Sequence, residues 1–320
     1  MDLIYDLAII KDNKKDLFEG FFWPTSYESY APLSKGLIDA CTNITYSSGF
    51  SETEIAIFWS KISDLTSDIA HHIRIAIDLQ NMNKIGVKPA YLKTSSLALN
   101  FLLEGGDDIK PILLNRKWSY RKKESYYEEL KRSYKRTRQK LKMSLTNTSN
   151  RHDVLNHNIL LDEFVNNESI VNIDFTPNVY DWSNGNSNSK RATTLIQPLI
   201  EAYKVFLENN IELDKNIKLP LVKLLDGFIT YHINKCCSDY KQVNDILNST
   251  KIGDILIGGT PKYIGRLYAW YYKNTGRDVY RFAHGGERAI FDDYMWSLAE
   301  LPFCDKYYCF SKKESENISI

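Results

Sequence analysis

The 320-residue sequence has no long uninterrupted run of apolar residues, and this absence excludes one class of protein at once. A membrane-spanning helix needs roughly 18 or more consecutive apolar residues, and no stretch here approaches that length. The N-terminal segment MDLIYDLAIIKDNKKD also carries aspartates where a secretory signal peptide would carry lysines. The sequence therefore predicts a cytoplasmic protein.

Cysteine is scarce and shows no metal-binding spacing. The five cysteines are an odd number, and no two of them form a CxxC pair. His232 and Cys236 would share one face of a helix, but two ligands do not make a zinc site, so packing in the core is favoured for them. We expect reduced thiols and no bound metal. The cysteines are Cys41, Cys236, Cys237, Cys304 and Cys309.

The formal net charge of +1 hides a strongly basic segment. Residues 116–142 contain twelve Lys or Arg and three Glu, a local charge of +9, so the remainder of the chain sums to −8. Tyr127, Leu130, Tyr134 and Leu141 recur at helical spacings and mark one apolar stripe. The segment is therefore predicted to be a basic amphipathic helix inserted at about residues 116–150.

Three interpretations of this basic helix stay open. It is a solvated helix that packs its apolar stripe on the domain, or a surface that docks on anionic membrane headgroups. The third interpretation, nucleic-acid binding, is disfavoured because the total charge is nearly neutral and no RRM, KH, zinc-finger or helix-turn-helix signature is present.

Helical and loop segments alternate through the first 250 residues. Ser51 and Glu54 stand in capping-box relation before a helical pattern that continues to about Leu79. Two further helical patterns cover roughly residues 192–209 and 219–247. The polar stretches at 147–158 and 183–191 are rich in turn formers and are predicted to be surface loops.

The last seventy residues alternate between strand and helix patterns. DILIGG at 254–259 is a short apolar run of the kind found in buried parallel strands, and PKYIGRLYAWYYKNTG is helical until Gly276 stops it. DVYRFA at 278–283 and KYYCF at 306–310 are the next two predicted strands. Ser311 then starts a capped helix.

This alternation predicts an α/β fold, with a Rossmann-like parallel sheet flanked by many helices. Ligands of open α/β sheets gather beyond the carboxyl ends of the strands. The turn formed by Gly258, Gly259 and Thr260 lies at one such end, where the amides of a helix N-terminus favour an anion such as phosphate.

A histidine stands at the end of the next predicted strand. His284 is followed by Gly285 and Gly286, which let the backbone approach a bulky ligand closely. An imidazole can accept a proton from a hydroxyl at neutral pH, and Glu287 or Asp292 could orient it or act as a base. The alternative is a tight turn whose histidine hydrogen-bonds the next strand. We favour a catalytic role for His284.

Two segments resemble a known enzyme family. GGTPKYIGRLYAWYYKNTGRDVYRFAHGG, followed by FCDKYYCFSKKESENI, resembles the end of the N-terminal half of GT-B-type glycosyltransferases that build bacterial surface polysaccharides such as capsule and lipopolysaccharide. In that family, and in related teichoic-acid polymerases, a strand ends in a His-Gly loop that faces the interdomain cleft. The matching residues are His284-Gly285-Gly286 and Tyr307 to Ser311, in about seventy residues of the chain.

The resemblance implies one acceptor-side domain over residues 1–320. The nucleotide-binding half of a GT-B enzyme would be absent here, or only begun at 306–320. The resemblance also implies transfer of a sugar from a nucleotide-activated donor to a glycan or lipid-linked acceptor, without a metal or cofactor. Arg281 and Arg288 are candidates for the donor phosphates, although Arg281 lies inside a strand and could instead form a structural ion pair.

Two other functions remain open from the sequence. A glycerophosphotransferase of the teichoic-acid type would use the same histidine on a different donor. A non-catalytic module would bind a glycan or an assembly partner through a tyrosine-rich cleft, for which the 21 tyrosines provide the side chains.

Overall fold

In the computed structural model, the chain forms two compact units. Unit 1 comprises residues 1–50, 64–120 and 190–233, and unit 2 comprises 51–63, 121–189 and 234–320. The structure describes residues 2–4, 25–30, 32–47, 49–90, 97–105, 152–155, 170–172, 193–248, 252–258, 263–283, 300–309 and 311–318.

The described residues form eight α-helices and seven strands. The helices are α1 (Tyr27–Tyr30), α2 (Leu33–Ser47), α3 (Glu52–Lys84), α4 (Leu97–Glu104), α5 (Thr193–Asn210), α6 (Lys215–Asn248), α7 (Tyr263–Asn274) and α8 (Lys312–Ile318). The strands are β1 (Asp2–Ile4), β2 (Lys88–Ala90), β3 (His152–Leu155), β4 (Ile170–Asn172), β5 (Asp254–Gly258), β6 (Val279–Phe282) and β7 (Lys306–Tyr308). The helical patterns predicted for α3, α5, α6 and α7 are confirmed.

Unit 1 is mainly helical around an apolar core. Gly36 of α2 lies against α5, where an added Cβ would come within 2.6 Å of a ring carbon of Phe206, so the close approach of these helices requires glycine. In the same core the hydroxyls of Thr66 and Tyr203 are 3.3 Å apart. A short parallel pair, β1 with β2, completes the unit; no strand was predicted in this part of the sequence.

Aromatic and imidazole rings stack inside unit 1. The ring of Phe228 lies 5.1 Å from that of His72 and 4.3 Å from that of His232, measured between centroids. Both histidines are buried, and His72 Nδ1 lies 2.6 Å from the carbonyl oxygen of Asp68. Cys236, one turn after His232 on α6, is also buried, so the packing role predicted for His232 and Cys236 is confirmed.

The start of α3 forms the predicted capping box. Glu54 Oε2 accepts hydrogen bonds from the Ser51 backbone amide at 2.9 Å and from its hydroxyl at 2.7 Å. The Glu54 amide in turn donates to Ser51 Oγ at 3.4 Å. Because amides at a helix start have no intrahelical partner, these bonds fix where α3 begins.

Unit 2 is built on a five-stranded sheet with the order β4-β3-β5-β6-β7, in which every pair is parallel. The strands predicted at 254–259, 278–283 and 306–310 are β5, β6 and β7, and β6 lies between the other two. The fold class is therefore α/β with a parallel sheet, as predicted, and most of the residues that the structure describes are helical.

One loop prediction was wrong. The stretch 147–158 was interpreted as a surface loop, but residues 152–155 form β3, which pairs with both β4 and β5. The polar residues His152 and Asp153 at the start of β3 interrupt the run of apolar residues that is typical of a buried strand. A four-residue strand gains its stability from ladder hydrogen bonds to both neighbours, which a single-sequence pattern does not reveal.

Helix α7 connects β5 to β6 and ends as predicted. Gly276 has a φ of +73°, the left-handed conformation that glycine adopts without strain after a helix. The amide of Arg277 donates to the Tyr272 carbonyl at 3.0 Å, which closes the last turn. The crossover helix therefore stops shortly before β6 begins.

Side chains along β6 point alternately to a buried face and a partly exposed face of the sheet. Val279 and Arg281 are fully buried on one face of the sheet, whereas Tyr280 and Phe282 point to the opposite face and are partly exposed. There the rings of Phe282 and Tyr308 stack with centroids 4.8 Å apart and planes 12° apart. Unit 2 thus has a partly accessible aromatic face.

Within the part of the chain that the structure describes, no helix combines the length and apolarity needed to cross a bilayer. In the same residues no group of three or more His, Cys, Asp or Glu side chains is arranged to hold a metal ion. The basic segment 116–142 lies outside the described residues, so its three interpretations remain predictions.

Candidate functional site

The carboxyl edge of the unit 2 sheet is where the sequence predicted a site. Gly258, Phe282 and Tyr308 lie side by side at this edge, because the register pairs Gly258 with Phe282 and Phe282 with Tyr308. The Ala283 amide donates to the Tyr308 carbonyl at 2.9 Å and extends the ladder by one residue. In the sequence, His284 directly follows Ala283, the residue that extends the ladder beyond the end of β6.

The structure places two of the predicted site residues, Gly258 and Arg281. Gly258 ends β5 and is buried. The predicted catalytic and binding residues that lie outside the described part are His284, Glu287, Asp292, Gly259, Thr260, Gly285, Gly286 and Arg288. Their roles stay predictions.

Arg281 lies in the interior of unit 2, where it forms the structural ion pair that was considered as the alternative to phosphate binding. Its side chain is 0% exposed, and Nη2 lies 2.8 Å from Oε1 of Glu300, which is also 0% exposed. Tyr307, the register partner of Arg281 on β7, donates its hydroxyl to Glu300 Oε2 at 3.2 Å. In this arrangement the guanidinium serves an internal ion pair, and the donor-phosphate role considered for Arg281 stays a prediction.

A group of buried cations lies at the start of α7, the helix that follows β5. Lys61 of α3 and Arg266 of α7 are each 2% exposed. Arg266 Nε donates to the carbonyl of Ser60 at 2.9 Å, and Lys61 Nζ lies 4.5 Å from the centroid of the Tyr263 ring. Lysine and arginine are seldom fully buried, so two at one helix start are a strong electrostatic feature.

A carboxylate completes this cluster. Asp239 of α6 accepts hydrogen bonds from Lys235 Nζ at 3.0 and 3.1 Å and from the hydroxyl of Tyr263. Lys235 is partly exposed, at 27%, while Asp239 is buried. The cluster of Lys61, Lys235, Asp239, Tyr263 and Arg266 is here called the α7 cluster. Its described members carry three positive charges and one negative charge.

The charges of the α7 cluster affect the pKa of a neighbouring thiol, that of Cys236. Burial raises the pKa of Cys236 above its usual range, and the nearby charges of Lys61 and Arg266 act in the opposite direction. The buried Cys236 thiol, 4.0 Å from the Ile57 carbonyl, therefore stays protonated. It is a packing group beside the cluster and not a nucleophile.

Sequence reasoning missed the α7 cluster, although one signal for it was present. Lys61 lies four residues from both Ile57 and Leu65, so a helix puts all three on the same buried face. A lysine on such a face needs a polar or aromatic partner. Which groups surround it depends on α6 and α7, which are remote in sequence, so the cluster itself could not be read from α3.

The aromatic face of the sheet also reaches the carboxyl edge. Phe282 and Tyr308 stack there, and the Tyr280 ring lies 6.4 Å from that of Tyr308 farther down the sheet. Burial, reinforced by a 2.8 Å hydrogen bond to Asp278, raises the pKa of Tyr280 to about 12. Its phenol is protonated at neutral pH and donates its hydroxyl to Asp278 Oδ2.

Comparison with known proteins adds no constraint, since no family model, no curated protein and no solved structure matches this chain.

Proposed function

We propose that this protein is a glycosyltransferase that moves a sugar from a nucleotide-activated donor to a glycan or lipid-linked acceptor of a bacterial surface polysaccharide. One observation carries the proposal. The carboxyl edge of the parallel sheet joins the end of β6, just before His284, to the end of β5, just before α7 and its buried cations. This edge is where open α/β sheets bind ligands.

Sugar transfer needs a base for the acceptor hydroxyl and positive charge near the leaving phosphates, and we assign the base to the end of β6 and the positive charge to the end of β5. The acceptor hydroxyl must lose a proton, and His284 has the chemistry to take it at neutral pH, oriented by Glu287 or Asp292. The leaving nucleotide develops negative charge on its phosphates, and cations at a helix N-terminus stabilise such charge. In this proposal the buried cations of the α7 cluster act on that charge through their electric field, and Arg288 stays a candidate for direct contact with the phosphates.

The aromatic face is consistent with a sugar-handling site. A pyranose ring presents apolar C–H faces and a polar rim, and partly exposed aromatic rings with hydroxyl groups bind such ligands well. Phe282 and Tyr308 lie at the same edge as the end of β6. We place the basic segment 116–142 at the anionic inner face of a membrane, where a lipid-linked acceptor would be presented.

Replacing His284 with Ala tests the proposal. Thermal unfolding is first recorded with UDP, GDP, CMP and CDP-glycerol. Turnover is then measured with a sugar donor that carries the nucleotide that stabilises the protein. General-base catalysis is worth about 100- to 10,000-fold, so we expect His284→Ala to lose that much of kcat while unfolding at the wild-type temperature.

The control is His71→Ala, which removes an exposed imidazole of unit 1 and should leave kcat unchanged. Stabilisation by CDP-glycerol alone would favour glycerophosphate transfer. Full turnover by His284→Ala, or no stabilisation by any of the four nucleotides, would reject the glycosyltransferase.

A further inference from the structure

Two helices of unit 1 form an antiparallel hairpin whose outer face carries exposed apolar side chains. α5 is joined to the start of α6 by residues 211–214. Among the described residues, four large apolar side chains are exposed, and two of them lie on this hairpin: Val205 is 45% exposed and Leu219 is 60% exposed. Single apolar side chains on a surface are normal, so the arrangement around these two decides what they mark.

Two ion pairs connect the helices and show which side of each helix faces the other. Lys204 Nζ lies 2.9 Å from Asp226 Oδ2, and Lys218 Nζ lies 3.9 Å from Glu208 Oε1. The two exposed apolar residues directly follow these lysines in the sequence, so each side chain is turned by about 100° from the lysine before it, toward solvent. They therefore flank the row of ion pairs on the outer face, one on each helix.

The two helices carry opposite charge on this outer face. The exposed residues Glu201 and Glu208 make the face of α5 acidic, whereas Lys215 and Lys218 make the start of α6 basic. Such a surface is complementary to itself when a two-fold axis runs along the hairpin, because α5 of one copy then lies over α6 of the other. The same rotation brings the exposed valine of each copy toward the exposed leucine of the other.

The hairpin is large enough for a weak dimer. A helix rises 1.5 Å per residue, so the 18 residues of α5 span about 27 Å, and two packed helices are roughly 20 Å wide. Contact over this face buries on the order of 1,000 Å² in total, which is the lower limit for a specific interface. Association through it should therefore be reversible and depend on protein concentration.

We infer that the outer face of the α5–α6 hairpin is the interface of a two-fold homodimer, with Val205 and Leu219 at its centre and the acidic helix of each copy on the basic helix of the other. A second copy of the chain is the occupant that this face selects, because both halves of the charge pattern lie on one surface. The inference does not rest on the proposed enzymatic function, since none of the residues assigned to sugar transfer lies on the hairpin.

Sedimentation equilibrium of the full chain at rising concentration tests the dimer. We expect the mass to rise from 37.1 kDa toward twice that value, and added salt to weaken the association because it screens the charge pairs. Leu219→Asp places a charge at the centre of the apolar contact and should weaken dimerisation at least about 10-fold. The matched control is Leu103→Asp on α4, where the leucine is also exposed, at 43%, and this variant should dimerise like the wild type.

A charge swap separates a second copy from any other occupant. The double variant Glu208→Lys with Lys218→Glu keeps the ion pair inside each hairpin and keeps two identical copies complementary, so it should dimerise with itself. In a mixed dimer with the wild type, each α5 would lie over an α6 of the same charge at this position. Mixed dimers, measured with one fluorescently labelled partner, should therefore be at least about 10-fold weaker than either homodimer.

All substituted positions are at least partly exposed, so circular dichroism and the unfolding temperature should match those of the wild type in each variant. A mass of 37.1 kDa at every concentration would overturn the inference. So would a folded Leu219→Asp variant that dimerises like the wild type, or a charge-swapped variant that mixes freely with it. Loss of the dimer in Leu103→Asp alone would place the association on another surface.

Discussion

Three cations of unit 2 show how the same kind of charge can serve different purposes around one sheet. Arg281 is paired in the interior with Glu300, whereas Lys61 contacts the Tyr263 ring and Arg266 donates to a backbone carbonyl at the start of α7. The guanidinium of Arg281 lies beside a carboxylate that also accepts the hydroxyl of Tyr307. The α7 cluster places the cations Lys61, Lys235 and Arg266 around the carboxylate of Asp239 and the ring of Tyr263.

Replacing Lys61 with Met should weaken nucleotide binding. A charge near a helix terminus is worth about 0.3 to 1 kcal/mol, so we expect removal of the buried Lys61 charge to weaken binding of the stabilising nucleotide by about 2- to 5-fold. The measurement is the thermal shift as a function of nucleotide concentration. Lys241→Met, on the exposed side of α6, is the control and should titrate like the wild type. Equal affinities for Lys61→Met and the wild type would remove the α7 cluster from the donor site.

At the scale of elements, local signals account for where helices begin and end. Ser51 and Glu54 form their reciprocal bonds within four residues of sequence, and Gly276 adopts its left-handed φ right after α7. Both devices depend on neighbouring residues only, which is why they could be predicted. The strand β3 has no such local device and was interpreted as a loop.

Removing the cap of α3 should lower the free energy of unfolding. Replacing an N-cap serine by alanine costs about 1 kcal/mol, because a helix-start amide loses its partner. We therefore expect Ser51→Ala to lower the free energy of unfolding by that amount, seen as a lower urea midpoint at an unchanged m value. Ser67→Ala, at an exposed position farther along α3, should be neutral or slightly stabilising, since alanine favours helix. If the two variants shifted the midpoint equally, the cap would contribute nothing.

At the scale of the whole molecule, the chain forms two compact units that share two helices. The boundary between units falls inside α3, after residue 63, and inside α6, after residue 233. A helix propagates cooperatively, so residues on either side of such a boundary are coupled through its hydrogen bonds. Neither unit is built from one continuous piece of chain.

Two buried thiols report on the unfolding of the two units. Cys41 lies in unit 1, where burial raises its pKa to about 12 despite a hydrogen bond to Tyr203, and Cys236 lies in unit 2. Because thiolates are the reactive form, neither should be alkylated at pH 8 until its unit opens. We expect both to become reactive over the same range of urea, measured by alkylation pulses and mass spectrometry. Two separate transitions would show that the shared helices do not couple the units.

The sequence by itself determined the local features of this protein. Helix periods, the capping box, Gly276 and the strand–helix alternation after residue 254 all follow from residues within one or two turns of each other. It also determined that His284 follows the end of a strand, because the apolar run of β6 stops at Ala283. Short-range sterics and hydrogen bonding decide these features without reference to the rest of the chain.

Only the tertiary structure decided the long-range partners. β3 became an inner strand because β4 and β5 pair with it on either side, and Arg281 became a buried ion pair because Glu300 returns to it from nineteen positions along the chain. Lys61, Asp239 and Arg266 meet because three helices remote in sequence pack at the start of α7. A charge finds its partner in space, and nothing in its own neighbourhood of the sequence specifies which partner that will be.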